Sequence, residues 1–329
     1  MIVQVCTKYD IRHNRASRQP PFRRGAQGTV ATIVLAGALV LCLAGAQWLV
    51  WARSGLFDAH ENAVALIQGV ASDGLSSYIK GPILRCYLLE EDNQPVGYAI
   101  LSQDIDPQEN NGVFLRGKEL RVHPEKKQRT ERTYRIHTDL SQYQVDEESQ
   151  DLDTKLFERI RHNYGLGALR MTYYNNLRRK PQQLIRTVNK KNFIPFFLVD
   201  LFSSVAAQSP YGADGVLFSM ADANILRDYH QSLYLDCRVQ PKGQIPRAIR
   251  KSMPEGNSVR VIWGNGRHRQ NIYYDSDHQI VWQQDLIGSS ASTMQAVSRT
   301  ELVKRYPQAD QELDDWLRIQ EDENTMEVL

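Results

Sequence analysis

The sequence predicts an α+β protein in which an N-terminal transmembrane helix is followed by a curved antiparallel β-sheet domain with an inserted apolar helix. Three observations predict this class. One apolar run near the N-terminus is long enough to cross a bilayer, many later segments alternate apolar and polar residues, and a second apolar run at 193–208 is too short to cross. The predicted divisions are a basic cytoplasmic arm at 1–28, a transmembrane helix at 29–52, a juxtamembrane helix and connector at 53–82, and an extracytoplasmic antiparallel-sheet domain at 83–329.

The first apolar run is predicted to span a membrane. It carries no charge from Gly25 to Ala52, and about 20 helical residues cross a hydrocarbon layer of roughly 30 Å. The first 52 residues hold six Lys and Arg against one Asp, a net charge of +5. The positive-inside bias therefore predicts a cytoplasmic N-terminus and an extracytoplasmic C-terminal domain. Trp48 and Trp51 lie at the outer end of the run, where indole rings favour the headgroup interface.

A cleaved signal peptide is the alternative interpretation of this run. Ala44, Gly45 and Ala46 form an A-x-A pattern after the apolar residues, and cleavage near Ala46 would release a secreted domain. The apolar character continues beyond that point to Trp51, which favours an uncleaved anchor.

The charge of the remaining chain argues against nucleic-acid binding. After residue 52 the sequence has 34 Lys and Arg against 37 Asp and Glu, a net charge of −3. A nucleic-acid binder concentrates cations on its folded domain to neutralise phosphates. We therefore expect no nucleic-acid partner.

Alternation of apolar and polar residues predicts half-buried strands beyond residue 83. The clearest examples are 134–140 and 233–239, where every second residue is apolar or small. Asn265-Gly266 supplies the two positive φ angles of a type I′ turn and predicts a hairpin from 258–264 to 267–275. Further predicted strands are 87–90, 95–101, 113–122, 168–174, 183–189, 216–220 and 280–286.

Four helices are predicted beyond the membrane run in addition to the apolar run at 193–208. An imperfect apolar stripe indicates a helix within 53–82, and the chain ends in short helices at 300–306 and 310–320. The acidic residues between Asp146 and Asp153 precede Leu156, Phe157 and Ile160, a pattern that predicts a capped amphipathic helix.

The second apolar run is the most informative segment. Asp200 is the only charge in 193–208, and a helix that is apolar on every side must be covered on every side. We expect it to pack against the sheet, either as solid core or beside a possible apolar ligand cavity lined by Phe196, Phe197, Leu201 and Phe202.

No motif for catalysis or for a cofactor is present. His268, Asp275, Asp277 and His278 could suggest a metal site, but their spacing does not match two ligands on one helix, and a polar hairpin tip is the simpler interpretation. No G-x-S-x-G motif occurs. Aromatic residues of the later strands could form a stacking platform for glycan rings, although core packing explains them more simply. They are Tyr173, Tyr174, Trp263, Tyr273, Tyr274 and Trp282.

Cys86 and Cys237 both lie in predicted strands with apolar neighbours. In an oxidising compartment they could form a disulfide, whereas buried free thiols are equally ordinary in strands. Cys237 has neither the helix N-terminus nor the His partner that would activate a thiol.

The layout from 83 to 286 resembles that of periplasmic carriers of the lipoprotein-carrier type. The segments that carry the resemblance are PVGYAIL, NFIPFFLVDLF and VRVIWGNGRHRQNIYYDSDHQIVW. In that family a curved sheet wraps helices and shelters acyl chains, so the resemblance implies a lipid-handling role.

The sequence therefore predicts a membrane-anchored extracytoplasmic binding or scaffold protein of the cell envelope, without catalysis and without a cofactor. Its expected partners are the membrane, through one N-terminal helix, and a lipid or an envelope protein. One alternative is a binder of lipid or another apolar ligand, of the lipoprotein-carrier type. The other is a hydrolase whose site is assembled from several strands.

Overall fold

The structure is a computed structural model that describes residues 26–53, 56–79, 82–106, 113–177, 180–209, 215–221, 234–252, 254–264, 266, 268–288 and 290–314. Contacts within the chain divide it into two compact units, Met1–Arg53 and Ser54–Leu329.

The described part of the first unit is one helix, α1, at Ala26–Arg53. Val34, Leu41 and Trp48 are among its exposed apolar side chains. The predicted helix is thus present, but no helix in the described ranges is both long enough and apolar enough to cross a membrane.

The second unit is built on a single antiparallel sheet of 14 strands, which confirms the predicted α+β class with a large antiparallel sheet. The strands are β1 Ile83–Glu91, β2 Gln94–Asp106, β3 Phe114–His123, β4 Gln128–His137, β5 Gln142–Asp151, β6 Leu156–Gly165, β7 Ala168–Asn175, β8 Gln182–Thr187, β9 Val216–Ala221, β10 Tyr234–Pro241, β11 Asn257–Trp263, β12 His268–Tyr274, β13 Ile280–Ile287 and β14 Ser290–Val297. Their order across the sheet is β8-β7-β6-β5-β4-β3-β2-β1-β14-β13-β12-β11-β10-β9.

The described part of this unit has five helical segments, together with 3₁₀ turns at Leu75–Ser77 and Phe196–Leu198. They are α2 Leu56–Asp73, α3 Val199–Gln208, α4 Arg247–Ser252 and α5 Arg299–Arg305, and a further helical segment covers 308–314. The C-terminal helices match the predicted break at Pro307, while the predicted continuation to residue 320 lies outside the described residues beyond 314.

The sheet bends back on itself. Fourteen flat strands at about 4.8 Å spacing would separate the edge strands β8 and β9 by about 60 Å. Phe193 nevertheless forms a parallel bridge with Ser219 of β9 only six residues after β8 ends at Thr187, a chain length that reaches at most about 21 Å. The backbone N–H of Ile194 donates to the Ser219 carbonyl at 3.0 Å. The two edges therefore approach each other, and one face becomes an interior.

Helices α2 and α3 fill part of that interior. Helix α2 buries Ala63, Leu66 and Val70 in the main hydrophobic core and packs against β9. The Asn62 side chain donates a hydrogen bond to the Gly215 carbonyl at 3.0 Å. The segment predicted as a juxtamembrane helix is thus part of the folded core as well as a connector.

A second, smaller core lies on the other face of the sheet. Leu88, Tyr98 and Leu120 of β1 to β3 pack there against Leu302 of α5 and Leu313 of the segment 308–314. The alternation of side chains along these strands supplies both cores, because successive residues point to opposite faces.

The predicted helix over 146–160 is wrong. Residues Gln142–Asp151 and Leu156–Gly165 are the paired strands β5 and β6. The acidic side chains do not begin a helix because cations on neighbouring strands neutralise them: Arg161 donates to Asp146 at 2.7 Å, and Arg132 to Glu147 at 2.7 Å. Such cross-strand pairs favour extended backbone.

Candidate functional site

The interior of the curved sheet contains a cavity of about 140 Å³ beside the start of α3. Its walls come from β1 to β4, the turn before α3, the turn between β12 and β13, and β14. The lining residues are Ile79, Tyr87, Ala99, Leu101, Gln103, Leu115, Glu119, Arg121, Arg132, Tyr134, Phe196, Phe197, Leu198, Asp200, Leu201, His278, Gln279, Ile280 and Met294. The cavity thus joins an apolar wall to a charged one.

The apolar wall includes three of the four side chains that the sequence suggested for a ligand cavity. Phe196, Phe197 and Leu201 line it and are partly buried. Phe202 is fully buried and does not line it, because its ring packs against Phe218 with the ring centroids 5.5 Å apart.

The charged wall is a network of two glutamates and two arginines on three adjacent strands. Glu119 accepts hydrogen bonds from Arg121 Nε on its own strand and from Arg132 Nη1, the latter at 2.6 Å. Arg132 also donates through Nε and Nη2 to Glu147, at 3.0 and 2.7 Å. Burial by itself would raise the pKa of Glu119, but the positive charges of Arg121 and Arg132 and their hydrogen bonds lower it to about 2. Glu119 is therefore an anion at neutral pH.

Asp200, beside the charged wall, and the outer edge of Arg121 line the cavity without a described partner. Asp200 makes no hydrogen bond or ion pair with the described residues, and the terminal nitrogens Nη1 and Nη2 of Arg121 make no hydrogen bond with them either. The Arg121 side chain keeps 41% of its surface exposed. Burial, and then the negative charge of Glu119, raise the pKa of Asp200 to about 6, against the opposing effect of Arg121.

A tyrosine closes one side of the cavity. The phenol oxygen of Tyr134 accepts a hydrogen bond from Gln103 Nε2 at 2.6 Å. The ring lies over Gly117 on the neighbouring strand, where an added Cβ would come within 2.1 Å of it. Gly117 therefore provides the space that the Tyr134 ring occupies.

A buried histidine lies behind the charged wall. His162 is 1% exposed, and neither of its ring nitrogens has a hydrogen-bond partner among the residues that the structure describes. Its ring packs against Phe196 at a centroid distance of 5.4 Å. Burial, assisted by the positive charge of Arg132, lowers the pKa of His162 to about 4, while Glu147 opposes the shift. His162 is therefore neutral at pH 7.

The histidine-bearing hairpin does not bring its four candidate residues together. The rings of His268 and Trp263 stack at 5.7 Å, and Asp275 pairs with Arg85 at 2.9 Å. Asp277 is exposed in the turn, and His278 lines the cavity, where its Nδ1 lies 3.0 Å from Ser204 Oγ. Across the described ranges, no three His, Cys, Asp or Glu side chains are grouped as metal ligands.

Cys86 and Cys237 are both buried free thiols. They do not pair, because Cys86 belongs to the outer core and Cys237 to the interior one. Burial raises the pKa of each thiol, which opposes a nucleophilic role.

The aromatic residues suggested as a stacking platform are mostly core. Tyr173, Tyr273, Tyr274 and Trp282 are buried, while Tyr174 is 37% exposed. No exposed row of rings is formed by these side chains.

Comparisons with known proteins give no family. No family model matches the sequence, and no curated protein matches it. Among solved structures, one match is a crystal structure described as a beta-barrel-like protein of the domain of unknown function DUF1849 from Brucella abortus. It has 12% sequence identity and a TM-score of 0.45, and the match covers 67% of this chain and 98% of that one. A likeness of this degree carries no argument about function.

Proposed function

We propose that the sheet domain is a binding protein that takes a small amphipathic molecule into the cavity beside α3. The observation that carries this proposal is that one interior cavity combines apolar side chains with two polar features that no described residue satisfies, the Asp200 carboxylate and the terminal nitrogens of Arg121. Unpaired charged groups in a protein interior are costly. A ligand that pairs with them offsets that cost.

The size of the cavity limits the ligand. A cavity of about 150 Å³ holds one benzene molecule, whereas pockets for drug-sized ligands have about 300 to 1,000 Å³. At about 140 Å³, this cavity matches a molecule of benzene size. The lipid-carrier alternative draws support from the curved sheet and from Phe196, Phe197 and Leu201, but an acyl chain would require the walls to move apart. Lipid that co-purifies after mild detergent extraction would favour it.

Binding of a small amphipathic probe tests the proposal. Benzyl alcohol, observed by ligand-detected NMR with the purified full-length chain, should bind the wild type. Leu201→Trp should abolish binding because the larger side chain fills the cavity. Leu152→Trp is the matched control, since Leu152 is exposed in the turn between β5 and β6. Equal binding by the wild type and by Leu201→Trp would refute the proposed site.

A hydrolase is the second candidate function, and the contact between Ser204 and His278 favours it. A serine hydrogen-bonded to a histidine is the core of a nucleophilic site. Ser204 is fully buried and does not line the cavity, so a substrate could reach it only after α3 moves. Hydrolysis of small esters by the wild type that is lost in Ser204→Ala would support this function over binding alone.

Attachment to a membrane, with the sheet domain outside the cytoplasm, remains a proposal that rests on the sequence. It is supported by the net charge of +5 in the first 52 residues and by the exposure of apolar side chains such as Leu41 and Trp48 on α1. Exposed apolar surface of this kind marks contact with a membrane or another protein.

A further inference from the structure

We propose that the ligand of this cavity is a small zwitterion with an apolar side chain, the size of a branched α-amino acid. Its ammonium group would bind the Asp200 carboxylate, and its carboxylate would bind the terminal nitrogens of Arg121. This inference rests on the proposed function and adds the chemistry of the ligand. Both anchoring groups line the same cavity.

Arg121 is the group suited to a carboxylate. Glu119 occupies only its Nε, whereas Arg132 uses Nε, Nη1 and Nη2 on Glu119 and Glu147. The two terminal nitrogens of Arg121 therefore keep their N–H donors available, on a side chain that lines the cavity and is 41% exposed. A guanidinium edge of this kind matches the two oxygens of a carboxylate.

Asp200 is the group suited to an ammonium ion. Its carboxylate has no hydrogen bond or ion pair with the part of the chain that the structure describes. Four aromatic side chains line the cavity with it, Tyr87, Tyr134, Phe196 and Phe197. Aromatic faces attract cations, so an ammonium group gains from the rings as well as from the carboxylate.

Hydrogen bonding, rather than net charge, favours a ligand that carries both signs. Glu119, Glu147, Arg121 and Arg132 neutralise one another, two charges of each sign, and Asp200 adds one negative charge. A simple carboxylate would bind Arg121 but would leave Asp200 unpaired in the same cavity. A simple amine would bind Asp200 and leave the Arg121 edge unpaired. A zwitterion satisfies both groups at once.

The apolar wall and the cavity volume determine the character and the size of the ligand's side chain. Phe196, Phe197 and Leu201 would contact an aliphatic side chain. By comparison with a benzene-binding cavity of about 150 Å³, the space accommodates roughly six to eight non-hydrogen atoms. Valine is a suitable probe of this size.

Three matched probes test the inference by titration calorimetry at pH 7.5 with the full-length chain. They are valine, 3-methylbutanoate, which lacks the amino group, and isobutylamine, which lacks the carboxylate. Valine should bind at least about tenfold more tightly than either, since a hydrogen bond to a charged group contributes about that factor. Asp200→Asn should weaken the binding of valine by about tenfold or more and should leave the affinity for 3-methylbutanoate unchanged or higher. Asp236→Asn, a carboxylate paired with Lys190 at 3.3 Å away from the cavity lining, is the control.

The outcomes separate this inference from the proposed function. Binding of 3-methylbutanoate as tightly as valine would overturn the zwitterion, and so would an unchanged valine affinity in Asp200→Asn. Binding of benzyl alcohol without binding of any of the three probes would also overturn it while the proposed function stands. Failure of benzyl alcohol and of all three probes would remove both. Arg121→Gln should weaken the binding of valine and of 3-methylbutanoate alike. If that variant does not fold, the affinities measured for Asp200→Asn decide between the outcomes.

Discussion

The buried His162 and the partly buried Asp200 make opposing contributions to the acid dependence of folding stability. The pKa of His162 is lowered by burial to about 4, from an ordinary value of 6.5. As the pH falls from 6.5 to 4, the unfolded chain binds a proton that folded His162 does not. Folding stability therefore decreases over this window, by about 3 kcal/mol in total.

Asp200 acts in the opposite direction. Its pKa is raised to about 6 from an ordinary value of 3.8. As the pH falls through 6 toward 3.8, the folded protein binds a proton that the unfolded chain does not, so stability increases, also by about 3 kcal/mol. The two contributions nearly cancel in the wild type between pH 7 and pH 4.

Single substitutions should reveal each contribution. As the pH falls from 7 to 4, the folding stability of Asp200→Asn should decrease by about 3 kcal/mol relative to that of the wild type, because only the His162 effect remains. The folding stability of His162→Leu should increase by about 3 kcal/mol over the same range, because only the Asp200 effect remains. The assay is urea unfolding of the full-length chain at four pH values, followed by tryptophan fluorescence.

The comparison with wild type removes the contribution of groups that do not interact with the substituted one, whereas Glu119, whose charge raises the pKa of Asp200, still contributes to the Asp200→Asn curve. The double variant His162→Leu/Asp200→Asn should return to the wild-type pH dependence. Difference curves that stay flat within about 1 kcal/mol for both single variants would refute the reasoning, since a shift of one pKa unit corresponds to about 1.4 kcal/mol.

Three further predictions concern the core, the cavity wall and the topology. Phe202→Ala should lower the free energy of unfolding in urea by about 3 to 5 kcal/mol, because the ring is fully buried. Leu201→Ala should lower it by less, because Leu201 borders the cavity. Equal losses in the two variants would contradict this prediction. Gly117→Ala should lower stability by about 1 to 3 kcal/mol, because its Cβ would collide with the tyrosine ring beside it. Gly165→Ala is the control and should change thermal unfolding little, because the nearest atom to its added Cβ lies 3.9 Å away. A reporter active only outside the cytoplasm, fused after Leu329, should be active; an inactive fusion at normal expression would refute the predicted orientation.

Alternation along the chain was sufficient to predict most of the sheet. The later parts of β4, β10 and β11 follow the period of two. The turn predicted at Asn265-Gly266 identified the pairing of β11 with β12, in which Trp263 lies opposite His268. The apolar helix was predicted at 193–208, and the structure has a 3₁₀ turn from Phe196 and an α-helix from Val199 to Gln208. Where local pattern and tertiary packing agree, sequence reasoning succeeds.

The charged wall could not be predicted in the same way. Glu119, Arg132 and Glu147 are 13 and 15 residues apart, and they meet only because β3, β4 and β5 pair in a particular register. One signal was present in the sequence. Arg132 lies two residues before Tyr134, on the same phase of the alternation as Ile136, and so faces the interior. A charge on the buried phase of a strand marks an interior polar group.

The helix predicted from the acidic run at Asp146 is wrong for a related reason. Its carboxylates resemble the first turn of a helix, but their partners, such as Arg132 and Arg161, lie on neighbouring strands. The choice between helix and strand was decided by contacts that a local pattern does not contain.

The location of ligand binding is the central claim, and methyl NMR of the full-length chain tests it most directly. On addition of benzyl alcohol, methyl signals of Leu115, Leu201 and Met294, which line the cavity, should shift with ligand concentration. Those of Leu302 and Leu313, in the core on the other face of the sheet, should not. Shifts confined to Leu302 and Leu313, or no shifts at saturating probe, would contradict the account.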